Sequence, residues 1–250
     1  MKAMILAAGL GTRLRPLTND RPKALVEVAG RTLLEIAISR VRVFGVREVV
    51  VNAHHHAGMI VDFLKAHDNF GMRIVVSREE ELLDTGGGLK KAASFFIDSN
   101  GSSQEPFILH NVDVISTIDL GRMTSFHIEK AALATLAVQD RETSRYLLFD
   151  EQGELCGRRA GRDGQDQVVR PAEQLAPLAF SGIHVISPEI FAKMKEEGAF
   201  SIIDAYLRLA ALGEKVAAFR ADEFYWRDLG RPVSIVEAAR DLTSGTSFGE

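Results

Sequence analysis

The sequence predicts an α/β fold, a Rossmann-like three-layer sandwich around a mixed, mostly parallel sheet. Three observations predict it. Short apolar, β-branched runs of strand length alternate with segments of helical period, the pattern of parallel strands joined by crossover helices. Those runs are apolar enough to be covered on both faces, as strands of a parallel sheet are. The chain has 250 residues and 46% hydrophobic content, enough to bury a sizeable core. One domain is expected over residues 1–243, with 244–250 as a frayed tail.

The first strand is expected over residues 3–8. It runs into Gly9-Leu10-Gly11-Thr12-Arg13-Leu14-Arg15-Pro16. Two glycines let backbone N–H groups come close to an anion. Arg13, Arg15, Arg21 and Lys23 follow, with Asp20 the one acid among them. Arginine suits bidentate contact with phosphate oxygens, and lysine acts as a point charge. A strand, a glycine loop and a cation cluster in that order form a phosphate-binding design. The dinucleotide fingerprint is excluded, because Leu14 stands where its third glycine belongs and Pro16 follows. The P-loop sequence is absent as well. The loop is therefore expected to wrap phosphate in extended form, without a helix N-terminus.

An extended piece over 25–31 ends in a turn. Thr32, with Glu35 three residues on, forms a capping box for a helix over 33–44 that Gly45 stops. Residues 48–52 read as a parallel strand, 58–67 as a helix and 73–77 as a strand. His54-His55-His56 reads as a loop, since adjacent positions at a strand end point different ways and no cysteine or spaced carboxylate set accompanies them. In Thr85-Gly86-Gly87-Gly88 three glycines open a helix to about residue 96. Each costs about 1 kcal/mol against alanine inside a helix, so something is expected to approach that backbone. A strand over 106–110 delivers Asn111-Val112-Asp113 to its C-terminal end, where open α/β sheets bind ligands. Asp119 caps a helix over 120–130, and 131–138 is a strand.

A hairpin is expected around Asp150-Glu151-Gln152-Gly153. Residues 157–178 are polar and carry two prolines. They read as part of an excursion over 140–182, a lid over the site. A strand over 179–185, helices over 188–197 and 201–212, a strand over 216–220 and a helix over 232–242 complete the chain.

The net charge of −4 gives no reason to expect nucleic acid or an anionic membrane surface as partner. The single cysteine excludes an internal disulfide framework, and no apolar run reaches membrane-spanning length. A cytoplasmic protein is expected.

Leu6-Ala7-Ala8-Gly9-Leu10-Gly11-Thr12-Arg13-Leu14, followed by Pro22-Lys23, resembles the signature of the sugar-1-phosphate nucleotidylyltransferases, or nucleotide-sugar pyrophosphorylases. Further matches extend the resemblance to about residue 240. It implies the nucleotide-diphospho-sugar transferase type of fold. It implies that Leu6, Ala7, Ala8, Gly9, Gly11, Thr12, Thr85, Gly86 and Gly87 hold the nucleotide, with Arg13 and Lys23 catalytic. Asn111 and Gly182 are implied at the sugar. Tyr225-Trp226-Arg227-Asp228-Leu229-Gly230 is similar to the family's second metal motif, so Asp113 and Asp228 are implied to bind Mg2+. Two departures stand out. Val112 occupies a position the family usually gives to glycine. Val169-Arg170-Pro171 replaces a Glu-Lys-Pro whose acid contacts sugar hydroxyls, which leaves Glu173 as a weak substitute.

The resemblance implies transfer of a nucleotidyl group from a nucleoside triphosphate to a sugar 1-phosphate, giving an NDP-sugar and pyrophosphate. The short length and the Thr85-Gly86-Gly87-Gly88 run are similar to the compact uridylyltransferases acting on N-acetylmuramate 1-phosphate, which favours UTP. A GTP-using mannose- or heptose-1-phosphate guanylyltransferase is the alternative within the class. A non-catalytic sugar-nucleotide-binding regulatory domain is the alternative outside it. A nicotinamide reductase is opposed by the missing third glycine.

Overall fold

The computed structural model describes residues 1–97 and 105–243; the expected tail lies outside them. The chain opens with β1 (Lys2–Leu6) and, past the glycine loop, the short hairpin of β2 (Glu27–Val28) and β3 (Arg31–Thr32). Helix α1 (Leu33–Val43) follows, and the Thr32 side chain accepts a hydrogen bond from the Glu35 amide, the cap the sequence predicts. Next come β4 (Glu48–Ala53), α2 (Ala57–Ala66), β5 (Arg73–Arg78), α3 (Asp84–Lys91), α4 (Ala93–Phe96), β6 (Phe107–Asn111) and β7 (Val114–Ser116). The middle of the chain gives α5 (Leu120–Glu129), β8 (Ala134–Gln139), β9 (Arg145–Phe149), β10 (Leu155–Ala160), β11 (Asp166–Val168) and β12 (Ala176–Ile186). The last elements are α6 (Ile190–Lys193), α7 (Ile202–Ala211), β13 (Val216–Arg220), β14 (Trp226–Asp228) and α8 (Pro232–Thr243).

The central sheet runs β11-β10-β9-β12-β6-β1-β4-β5, with β8 joined to β12 and β13 to β8. Pairing is parallel through β6-β1-β4-β5 and between β8 and β13, and antiparallel around β12. Successive strand residues point to opposite faces, and β1 shows what each face meets. Ala3 and Ile5 pack into a core with α1, α2, α5 and α8, whereas Met4 and Leu6 pack into one with α3, α4, α6 and α7. Helices cover both faces, as the expected three-layer fold requires.

Two stretches differ from expectation. Residues 157–178 are not a loop excursion: they finish β10, form β11 and begin β12. Polar side chains are tolerated there because β11 is an exposed edge strand. The helix expected over 188–197 is only α6, one turn long. Beyond Met194 the backbone turns extended and passes under α3, where Lys90 Nζ donates to the Glu196 carbonyl at 2.5 Å and Arg208 Nε to Glu196 Oε1 at 2.6 Å.

Strand β12 creates the cleft. Residues 176–179 pair with β9, and Ile183–Ile186 pair with β6. Between them Gly182 adopts a left-handed φ of +75°, a conformation glycine takes without cost. The sheet bends there and opens a cavity of about 1700 Å³ beside the C-terminal end of β6.

Candidate active site

The loop after β1 is tied down at its entry. The Ala7 amide donates to Asn52 Oδ1 at 2.7 Å, Asn52 Nδ2 donates to Glu79 Oε1 at 2.7 Å, and the Leu83 amide donates to Glu79 Oε2 at 3.0 Å. Asn52 and Glu79 are buried, so this relay satisfies polar groups that water does not reach. Beyond it, among the described residues, the amides of Gly9, Leu10 and Gly11 find no acceptor within the chain. Gly11 has a φ of +64°, and a side chain on it would meet Thr18 Cγ2 at 2.9 Å and Lys23 Cβ at 3.0 Å. Glycine therefore lets the loop close over Lys23 while leaving its own N–H groups for an anion. Leu6 and Ala8 are buried in the approach, and Thr12 starts a single 3-10 turn, Thr12–Leu14, that carries Arg13.

Asp113 and Asp228 are brought together by strand pairing. In the antiparallel pair β7–β14, Asp228 lies opposite Val114, and the Leu229 amide donates to the Asp113 carbonyl at 2.8 Å. Lys23 Nζ donates to Asp113 Oδ2 in an ion pair. The Gly230 amide donates to Asp228 Oδ1 at 2.9 Å. A methyl group on Gly230 would lie 2.8 Å from Asp228 Oδ1 and 2.9 Å from Arg13 Nη2, so the cation and the carboxylate converge on one point. Arg13, Lys23, Asp113 and Asp228 thus gather at the C-terminal end of the parallel strands.

Asn111 and Gly182 meet across the cavity wall: a side chain on Gly182 would lie 2.9 Å from Asn111 Nδ2 and 2.8 Å from Val114 Cγ2. The bend at Gly182 is held from outside. Trp226 Nε1 donates to the Ser181 carbonyl at 2.7 Å and Arg141 Nη2 to the Phe180 carbonyl at 2.8 Å. The Arg141 guanidinium lies 3.6 Å from the Trp226 ring centroid. Burial pushes the Arg141 pKa down, and the charge of Asp228 opposes that shift.

Thr85, Gly86 and Gly87 face the protein's own backbone. The Gly86 and Gly87 amides both donate to the Phe200 carbonyl, at 2.9 and 3.3 Å, and Thr85 Oγ1 accepts from the Ile202 amide at 2.9 Å. A methyl on Gly86 would fall 2.3 Å from the Phe200 ring, and one on Gly87 2.3 Å from the Gly198 carbonyl oxygen. On the side a Cβ would take, what approaches this backbone is the 198–202 segment. Thr85 still borders the cavity. The departures also resolve. Val112 buries its side chain in the core and takes no left-handed φ. Arg170 points away from the cavity into ion pairs with Asp150 and Glu154. Glu173 is exposed and does not line the cavity. The histidine tract is a loop, with His54 Nδ1 2.9 Å from the Glu79 carbonyl.

His110 and His184 lie beside the site and are buried. Burial pushes them down to about 4 and about 3, so both are neutral near pH 7 and neither supplies a charge. Asn52, Glu79 and Arg141 were not singled out by the sequence. Asn52 carried one signal, a polar residue closing an apolar strand; Glu79 is indistinguishable from Glu80 and Glu81, and Arg141 carries none.

Among the described residues no group of three or more histidine, cysteine or carboxylate side chains forms a metal cage. Asp113 and Asp228, whose backbones the β7–β14 pairing joins, offer carboxylate oxygens of the kind a hard cation such as Mg2+ takes, with its remaining ligands from phosphates and water.

The sequence profile described as nucleotidyl transferase matches residues 2–245. The chain belongs to the nucleotidyl transferase family. It is 37% identical to the N-acetylmuramate alpha-1-phosphate uridylyltransferase of Caulobacter vibrioides, over 96% of both chains. It is 30% identical to mannose-1-phosphate guanylyltransferase 1 of Arabidopsis thaliana, over 96% of this chain and 64% of that one. The chain thus spans just under two thirds of that longer relative. Among solved structures, HddC from Yersinia pseudotuberculosis complexed with GMP-PN aligns with a TM-score of 0.74 at 21% identity, over 96% of this chain and 99% of that one. The inositol-1-phosphate CTP transferase from T. maritima aligns with a TM-score of 0.73 at 18% identity, over 98% and 97%. These likenesses establish the fold, and no helix among the described residues is long and apolar enough to cross a membrane.

Proposed function

We propose that the chain transfers a nucleotidyl group from a nucleoside triphosphate, with UTP favoured, to a sugar 1-phosphate, in a Mg2+-dependent reaction. The observation that carries this is the convergence of Arg13, Lys23, Asp113 and Asp228 at the end of the parallel strands, beside a loop with unengaged amides. The preference for UTP rests on the uridylyltransferase of matching length.

The sugar phosphate oxygen attacks the α-phosphorus, and pyrophosphate leaves in line. A phosphate monoester is largely ionised near neutral pH, so the attacking oxygen needs no strong base. The neutral histidines beside the cavity fit that requirement. The work of the site is to hold two anions together and to stabilise developing charge. The amides of Gly9, Leu10 and Gly11 cradle the triphosphate, and Arg13 neutralises the leaving pyrophosphate. Lys23 stands at the reacting phosphates, held ready by Asp113. Asn111 and Gly182 line the place of the sugar. Mg2+, when held by Asp113 and Asp228, supplies Lewis-acid stabilisation of phosphate charge. A cytoplasmic setting, drawn from the single cysteine, is part of this reading.

Replacing Asp228 by Asn tests the reading. Turnover should fall by about a hundredfold or more, the scale of a lost transition-state charge contact, with the melting temperature retained. Near-normal turnover in the variant contradicts the assignment.

A further inference from the structure

His184 is only 1% exposed, yet it lines the cavity. It stands opposite Leu109 of β6, two residues and roughly 7 Å of strand past the bend at Gly182. Its ring is held on two sides. Phe180 packs edge to face against it with ring centroids 4.7 Å apart. From α7, the hydroxyl of fully buried Tyr206 lies 3.0 Å from His184 Nδ1.

The Tyr206 hydroxyl has one partner among the described residues, His184 Nδ1. Burial keeps the phenol protonated by pushing its pKa well above the ordinary value, so its buried proton needs an acceptor. Nδ1 is the acceptor the structure offers. The imidazole is neutral and carries one proton, which therefore sits on Nε2. No donor or acceptor of the described residues meets Nε2, and it is not closed off from solvent as His110 Nε2 is. A neutral N–H on a clamped ring thus opens onto the cavity.

We infer that His184 is a specificity-determining residue whose Nε2–H donates a hydrogen bond to one uncharged oxygen of the sugar, a hydroxyl or an acyl carbonyl, and that Tyr206 is the positioning residue that fixes the proton there. The inference rests on the transferase reading and adds a contact to its sugar site. On that reading Asn111 and Gly182 line the place of the sugar, and His184 follows Gly182 along β12 toward α7. A sugar with an oxygen on this side gains the bond. One without it leaves the N–H unpaired in a nearly closed corner, which is how a polar pocket rejects an analogue. The donor carries no charge, so it selects the position of an oxygen rather than an acid.

Nitrogen NMR of the ligand-free protein near neutral pH should show His184 as the Nε2–H tautomer, and Tyr206→Phe should admit the Nδ1–H tautomer as well. An Nδ1–H tautomer in the wild type overturns the inference, and a single Nε2–H tautomer in both proteins overturns the role of Tyr206. Kinetics follow with UTP and whichever of N-acetylmuramate, mannose and glucose 1-phosphate is turned over best. His184→Leu should raise KM for the sugar about tenfold, the scale of one unpaired buried group, and leave KM for UTP within about twofold. Removing sugar oxygens one at a time, in monodeoxy analogues or by exchanging an acetamido group for a hydroxyl, identifies the acceptor as hydroxyl or carbonyl. The wild type should lose about tenfold in kcat/KM on one such removal, and His184→Leu no more than about threefold on the same one. A sugar KM that His184→Leu leaves unmoved, or a rise shared equally by KM for UTP, overturns the inference and leaves the transferase reading standing. Absence of turnover on every sugar overturns both.

Discussion

Lys23 and Asp113, ninety positions apart in sequence, form an ion pair in which both side chains are only 12–13% exposed. The pair joins the segment after the glycine loop to the end of β6, and so ties together two parts of the proposed reacting centre. Asp113→Asn and Lys23→Met should each lower kcat by about a hundredfold or more. Each should also reduce unfolding free energy by about 1–3 kcal/mol, because the remaining partner keeps its desolvation without its hydrogen bond. Chemical denaturation and steady-state kinetics on the two single variants and the double variant check this. The stability losses should be less than additive, as they are for residues in contact.

Gly86 and Gly87 give a second prediction. Because Phe200 and the Gly198 carbonyl occupy the space beside them, Gly87→Ala should destabilise the ligand-free protein by about 1–3 kcal/mol, the cost of forced repacking. A melting curve without nucleotide measures it. Unchanged stability would contradict the packing role of Phe200 and the Gly198 carbonyl.

Trp226 is the one tryptophan in the chain, and it borders the cavity under the Arg141 guanidinium. Intrinsic fluorescence therefore reports on the Gly182 bend. Addition of the sugar 1-phosphate and nucleotide should change its intensity. Arg141→Gln, which removes the stack and the hydrogen bond to the Phe180 carbonyl, should alter the ligand-free spectrum and raise KM for the sugar about tenfold. A KM unmoved by Arg141→Gln contradicts the role of the stack in holding the bend.

Stability should fall with acid. His184 and His110 are pushed by burial to about 3 and about 4 from an ordinary 6.5. Above pH 6.5 both are neutral in the folded and unfolded chain alike, so they add no pH dependence. As pH falls below 6.5 the unfolded chain binds protons that the folded one refuses, and stability is lost progressively toward pH 4. At pH 5 each histidine accounts for about 2 kcal/mol. His184→Gln should flatten that slope between pH 6.5 and 5, as read from unfolding free energies in a pH series.

The local parts of the fold were legible in the sequence, because their causes are local. The Thr32–Glu35 cap and the strand that delivers Asn111 each follow from a few neighbouring residues; the left-handed Gly11 and the 3-10 turn after it, where an extended loop was expected, do not. The stretch 157–178 was not legible. Its polar strands exist because β9 and β10 offer edges to pair with, and that offer is non-local. The glycines at 86 and 87 announced a close approach correctly, but a sequence does not say whether protein or ligand makes it. Arg170 was conspicuous as a departure from a motif, yet its partners Asp150 and Glu154 belong to a hairpin turn. The meeting of Asp113 with Asp228 came from the family resemblance; the β7–β14 register supplies the physical reason.

The most direct test of the account is pyrophosphate release from UTP and the other nucleoside triphosphates, across a panel of sugar 1-phosphates with and without Mg2+. The account predicts release that needs both substrates and the metal, is greatest with UTP, and is lost in Asp113→Asn. Nucleotide binding with no release on any pair would contradict it, and would leave the chain as a binding domain on a transferase fold.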